Sequence, residues 1–211
     1  MNGENAAIAA HDVLLRGKAE RGEVNALDAT YHLFAALNKH MGNLHEASWL
    51  SIKGLRHWPN GDVIMSLRVQ GDTTPFTELQ GEVLEVGAMA VRVTDTMTYP
   101  VEPHSVLCSP YVVIAPCKED AHPESAQYPG HRWWKSDDAF KAAVGRHLDH
   151  MGVRAEVTIG RMVVRNVAGH RVGGWPVLLS GLSNEDSVKV QVLGIGGRRR
   201  LGAGIFSRWA P

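Results

Sequence analysis

Strand-like and helix-like spacings of apolar residues alternate along the chain, and the order of alternation occurs twice. Residues 6–16 read as a first strand, followed by a polar turn from Gly17 to Gly22. Asn25 is placed to cap a helix over 26–40, in which Leu27, Tyr31, Leu33, Phe34 and Leu37 keep the three-to-four spacing of a buried face. Gly42-Asn43 ends it. Leu44-His45-Glu46 comes next, then alternating segments at 48–55 and 62–69 around Pro59-Asn60-Gly61, which predict a β-hairpin. Thr73-Thr74-Pro75 opens a short helix near 74–80, and 82–98 holds one or two strands. The order is βαββαβ, that of a ferredoxin-like unit.

The second pass begins with a strand at 106–115. Residues 116–135, with Pro116, Pro123, Pro129 and Trp133-Trp134, read as a long loop. Ser136-Asp137-Asp138 caps a helix over 137–150 that stops at Gly152. Segments 153–167 and 171–182 predict a hairpin around Ala168-Gly169-His170. A short helix over about 185–193 leads to a closing strand over 202–209. The expected fold is therefore α+β, with two tandem ferredoxin-like domains at 1–100 and 101–211.

Composition adds a distribution of charge. The 211 residues are 44% hydrophobic and 21% charged, values of a globular chain with a substantial core. No membrane-length apolar run and no signal-peptide pattern is visible, so a cytosolic protein is expected, with no membrane partner. Formal net charge is zero, yet residues 1–151 hold 13 Lys/Arg against 19 Asp/Glu, whereas 152–211 hold 9 against 3. Such asymmetry points to one basic subdomain. Cys108 and Cys117 read as reduced thiols. The eleven histidines fall into no CxxC or HExxH pattern, so neither a metal nor a cofactor is expected.

The basic half contains Gly194-Ile195-Gly196-Gly197-Arg198-Arg199-Arg200-Leu201-Gly202-Ala203-Gly204: two Gly-x-Gly units around a five-residue insert. Glycines at both shoulders allow positive φ and close backbone approach, and could press bare amides against a phosphate. The arginines add planar, permanently charged forks. No Gly-Lys-Ser/Thr follows, and the loop leads into a strand and not a helix, so a polymer is favoured over a mononucleotide. Three adjacent arginines by themselves equally describe a solvated turn.

This loop resembles the glycine-rich loop of the CRISPR-associated RAMP superfamily of RNA-binding proteins. From Gly181-Leu182-Ser183 to Gly202 the chain is most similar to a compact branch of the repeat-cleaving endoribonucleases, the Cas6 enzymes that cut CRISPR precursor RNA. The resemblance implies two ferredoxin-like domains and metal-independent cutting at the foot of a repeat stem-loop. It also implies a product that stays bound, with the protein joining other Cas proteins in a multisubunit effector ribonucleoprotein.

Cutting RNA without a metal needs the 2′-hydroxyl to attack the adjacent phosphate, one group to take its proton and another to protonate the 5′-oxygen. Histidine suits that task, with an unperturbed pKa near about 6.5. By resemblance His45 is the candidate, set after the first helix in a Leu-His-Glu context, with His40 the alternative and the acid and base roles open. Tyr31 resembles a helix tyrosine that assists the histidine, although core packing explains it equally well. Lys53, on the following strand, could counter phosphorane charge or simply be an exposed strand lysine.

Arg198, Arg199 and Arg200, with Gly194, Gly196, Gly197, Gly202 and Gly204 shaping the loop, are the candidate RNA grip. Arg161, Arg165, Arg171 and Arg208 are auxiliaries. A-form RNA offers shape and phosphates more readily than base edges. Trp133-Trp134 could stack a base or pack the long loop onto the core. Two other readings remain open from the residues: a non-catalytic RAMP-type RNA-binding subunit, and an enzyme that holds a small nucleotide on the glycine loop.

Overall fold

The computed structural model describes residues 9–24, 29–117, 119–123, 134–167 and 170–209. The first residues of the expected opening strand, Asn25 with Leu27, Trp133 and the Ala168-Gly169 turn lie outside the described residues. The chain divides into two compact units, Met1–Val101 and Glu102–Pro211.

The first unit runs β1 (Ala10–Arg21), α1 (Ala29–Met41), a 3₁₀ turn (Leu44–Glu46), β2 (Leu50–His57), β3 (Asp62–Gln70), α2 (Thr74–Thr77), β4 (Val83–Val86) and β5 (Met89–Pro100). Its antiparallel sheet has the order β2-β3-β1-β5-β4. This is the ferredoxin arrangement, with β1 at the centre and the short β4 added at an edge as a hairpin on β5. Leu33, Phe34, Ala36 and Leu37 make the buried stripe of α1. Buried Val13, Leu15, Met65, Leu67 and Val91 supply the sheet's share of that unit's core, each burial stabilising by about 1.5–3 kcal/mol. Tyr31 is not part of the stripe and is 36% exposed.

β1 is longer than its pattern suggests, because the expected turn at 17–22 is strand up to Arg21. Gly17 sits at a register shift against β5, where a Cβ would come within 2.6 Å of the Arg92 carbonyl oxygen. It serves close strand approach and not a turn. The polar residues that suggested a loop form exposed cross-strand pairs: Lys18–Asp62 at 2.7 Å, Arg92–Glu20 at 2.6 Å and Arg21–Glu85 at 2.8 Å.

The second unit runs β6 (Val106–Val112), α3 (Asp137–Met151), β7 (Glu156–Ile159), β8 (Val163–Val167), β9 (His170–Ser180), α4 (Asn184–Leu193) and β10 (Ser207–Arg208). The sheet order β10-β6-β9-β7 is again that of a ferredoxin fold, so the chain is α+β with tandem ferredoxin-like units. Ser136 Oγ accepts from the Ala139 amide at 3.1 Å to open α3, and Gly152 at φ 67° closes it. Phe140 stacks on Trp175 at 4.2 Å, with Trp134 edge-on at 5.7 Å. Trp134 is buried and donates its indole N–H to the Ile114 carbonyl at 2.9 Å, so this tryptophan packs the core and is not presented for base stacking.

Two expected strands are divided or shortened. The segment 153–167 splits into β7, which pairs with the inner part of β9, and β8, which pairs with its outer part. The closing strand is only Ser207–Arg208, because Gly202 and Gly204 stand at φ 85° and 68°, outside the strand region.

Candidate functional site

The glycine-arginine loop leaves α4 at Gly194, whose amide bonds back to the Val190 carbonyl at 2.8 Å. The Ile195 amide then donates to the Gly204 carbonyl at 3.0 Å, Gly197 to Val113 at 2.9 Å, and Gly204 to Tyr111 at 2.8 Å. A Cβ on Gly194 would lie 2.6 Å from the Gly204 carbonyl oxygen, one on Gly196 2.3 Å from that of Val113, and one on Gly204 2.1 Å from that of Ile195. The two Gly-x-Gly units therefore press against each other and against the chain just after β6. Their bare backbones serve internal contact, and the amides of Gly194, Gly197, Gly202 and Gly204 already have protein acceptors. That differs from amides left open for phosphate; the reason is that carbonyls come closer than any side chain would allow.

The insert between these shoulders presents the charges. Arg198 is exposed and takes the left-handed conformation, φ 64°. Arg199 opens a 3₁₀ turn (Arg199–Leu201) and donates from Nη1 to the Val192 carbonyl near the end of α4, at 3.2 Å. There it sits as a cation at a helix C-terminus. Burial, and then the charge of Arg200, lower its pKa. Arg200 is partly exposed. Arg161, between β7 and β8, and Arg171, on β9, are exposed, while the Arg165 guanidinium on β8 lies over the Tyr111 ring, 4.5 Å from its centroid. Arg208 is exposed on β10.

In the first unit, His45 occupies the 3₁₀ turn after α1. Gly42 and Asn43 are both left-handed, φ 67° and 46°. Asn38 braces this reversal twice, its carbonyl accepting from the Gly42 amide and its Oδ1 from the Leu44 amide, each at 2.9 Å. Leu44 is buried and His45 exposed, with the imidazole edge-to-face on Phe34 at 5.1 Å and 83°. The result is an accessible histidine on a braced turn. His40, in the last turn of α1, is also exposed. Among the described residues no hydrogen bond joins His45 to Tyr31, His40 or Lys53.

Lys53 is not a free strand lysine. Its Nζ lies 2.6 Å from Asp12 Oδ2, and Arg68, only 2% exposed, grips the same carboxylate from Nε at 2.8 Å and Nη2 at 3.1 Å. Burial pushes the Asp12 carboxyl up, but the hydrogen bonds and charges of Arg68 and Lys53 outweigh it and hold it below the ordinary value. Burial and the neighbouring Arg68 charge lower Lys53 despite Asp12. Because Asp12 is depressed, its stabilisation is present above the unfolded carboxylate pKa of about 3.9 and lost as pH falls through the lower folded value. Asp12→Asn is expected to cost about 1–3 kcal/mol at neutral pH. The gap from wild type should narrow in urea unfolding below about pH 3; an undiminished gap there would exclude charge pairing as the cause.

Cys108 and Cys117 are free thiols. Tyr111 holds contacts that the sequence does not signal. It carries no motif, and only the fold sets it under Arg165 and beside the glycine loop.

Two ferredoxin-like units, the second bearing an arginine-loaded glycine loop, define a tandem ferredoxin-like α+β protein. The family model described as Cas6 Crispr matches residues 21–209. The chain is also 30% identical over 188 residues to the CRISPR-associated endonuclease Cas6 of Myxococcus xanthus (strain DK1622), covering 85% of this chain and 74% of that protein. The chain belongs to the Cas6 family. Among solved structures, a CRISPR associated protein Cas6 superposes with a TM-score of 0.60 at 12% identity, over 95% of this chain and 100% of the other. The product of a Cas6-related gene from Pyrococcus furiosus gives 0.60 at 12% identity, over 94% and 98%. The CRISPR endoribonuclease Cse3 bound to a 19 nt RNA gives 0.53 at 18% identity, over 94% and 97%. At such identities these structures speak to the fold.

Proposed function

We propose that this protein is an endoribonuclease that processes CRISPR precursor RNA within the repeat, acting without a metal ion. The observation that carries this reading is the family match across residues 21–209, which spans both units. The relative in Myxococcus xanthus named an endonuclease, and the Cse3 structure with bound RNA, support it.

In this reading the second unit holds a repeat stem-loop by its phosphates. Arg198 and Arg200 make contacts from the glycine loop, Arg165 and Arg171 contribute from the hairpin and Arg161 from the segment between β7 and β8, and Arg199 anchors the insert to α4. The 2′-oxygen attacks the neighbouring phosphorus while the phosphorus–5′-oxygen bond breaks, leaving a 2′,3′-cyclic phosphate and a 5′-hydroxyl. His45 moves a proton, either from the 2′-hydroxyl or to the 5′-oxygen. Tyr31 assists it, and Lys53, held by Asp12, adds positive charge as the phosphorane forms. The protein then stays on the 3′ stem-loop as a subunit of an effector ribonucleoprotein.

The test incubates the stem-loop repeat RNA of the source genome with excess protein in EDTA. One cut per repeat with cyclic phosphate and 5′-hydroxyl ends is expected. Tight binding without cutting, with or without added magnesium, would instead make the protein a non-catalytic RNA-binding subunit.

A further inference from the structure

We propose that Tyr111 is a positioning residue that joins Arg165 of the hairpin and Arg198 of the glycine loop into one two-pronged grip for an RNA phosphate backbone. This rests on the RNA-processing reading above and adds to it a residue that touches no substrate. Tyr111 closes the end of β6, next to Val112, and is 1% exposed. Its hydroxyl donates to the Val172 carbonyl on β9 at 2.6 Å, opposite Arg165 in the β8–β9 pairing, and so ties that hairpin to β6. Its ring fills a slot opened by Gly174, where a Cβ would lie 2.4 Å from Tyr111 Cε2. Above that ring stands the Arg165 guanidinium, at 4.5 Å.

The same residue also reaches the loop. Its carbonyl accepts the Gly204 amide at 2.8 Å, and two residues further on Val113 accepts from Gly197, which directly precedes Arg198. Burial pushes the Tyr111 hydroxyl up, and the charges of Arg165 and Arg198 pull against it. Arg165 is thus stacked on the Tyr111 ring, and the loop that carries Arg198, 33 positions on in sequence, is tied to the backbone of the same residue. A long arginine side chain loses rotamer freedom when it binds, and stacking beforehand removes part of that cost. A two-pronged grip whose spacing is set in advance is a preorganised site for a polyanion.

The test is a double-mutant cycle on the full-length protein. Its readout is the Kd for fluorescent repeat stem-loop RNA over a series of salt concentrations. Arg165→Ala and Tyr111→Leu are each expected to weaken binding about tenfold. The double variant should be no more than about twofold weaker than either single one. Tyr111→Leu changes no charge, yet it should flatten the salt dependence by about one ion, as the removal of a phosphate-binding cation does. Multiplied losses, near a hundredfold, or an unchanged salt slope would overturn the proposal and leave Tyr111 a core residue only. Tyr111→Met fills the slot with a flexible side chain and gives Arg165 no ring; should the leucine variant not fold, the same cycle run with the methionine variant decides the matter by the same criteria. Wild-type protein that fails to bind the repeat RNA at all would overturn the RNA-processing reading, and this inference with it.

Discussion

His45→Ala is expected to slow single-turnover cutting of repeat RNA by about 10²–10⁴-fold, the usual worth of one positioned proton carrier, with Kd for the RNA little changed. The rate effect follows from the turn that carries this residue. Asn38 braces both the Gly42 and Leu44 amides, Leu44 is buried as an anchor, and the imidazole is left in solvent against the edge of Phe34. A side chain so placed is not needed for the core. Its truncation forfeits at most an edge-to-face contact worth about 0.5–1.5 kcal/mol. Binding should survive because the cationic residues proposed to hold RNA are all in the second unit. The measurement is a time course at saturating protein beside an equilibrium binding curve. Full-rate cutting by the variant would move the proton-transfer role to His40, exposed in the last turn of α1. Parallel losses of cutting and of Kd would make His45 an RNA-binding residue.

Gly204→Ala is expected to destabilise the second unit by about 3–5 kcal/mol, the range of severe single substitutions, and to abolish RNA binding at ordinary protein concentrations. Two penalties coincide there. Gly204 stands at φ 68°, where an L-residue costs about 1–2 kcal/mol, and its new Cβ would lie 2.1 Å from the Ile195 carbonyl oxygen. That oxygen belongs to the backbone, so it cannot rotate away as a flexible side chain could. Any shift also strains the bonds from the Ile195 amide to Gly204 and from the Gly204 amide to Tyr111. Gly197 provides the control. An added Cβ meets nothing within 4 Å and its φ is not in the left-handed region, so Gly197→Ala should stay within about 0.5 kcal/mol. Urea unfolding of the two variants separates these cases, and equal stabilities would refute the interlocked-glycine account of the loop.

Much of the architecture was legible because its signals are local. The cap of α3 at Ser136, its end at Gly152, the reversal at Gly42-Asn43 and the hairpin turn at Asn60-Gly61 each depend on a few adjacent residues. The Gly-x-Gly spacing was readable for the same reason, and it led to the right family. Less legible were the length of β1 and the shortness of β10. A charged strand end paired to its neighbours looks like a loop, and an apolar segment between positive-φ glycines looks like a strand.

By itself, then, the sequence determined the core βαββαβ order of both units, the basic character of the second, the position of the arginine-bearing loop and the turn that carries His45. Only the tertiary structure decided what those residues face. Asp12 meets Lys53 and Arg68 across separations of 41 and 56 residues, a matter of register between β1, β2 and β3. Trp134 is committed to the core by Phe140 and the Ile114 carbonyl. The amides of Gly194, Gly197, Gly202 and Gly204 are spent on the protein, and Tyr111 gathers a hairpin arginine over its ring. Such contacts join strands distant in sequence, and periodicity records which face of an element is buried, not which partner buries it.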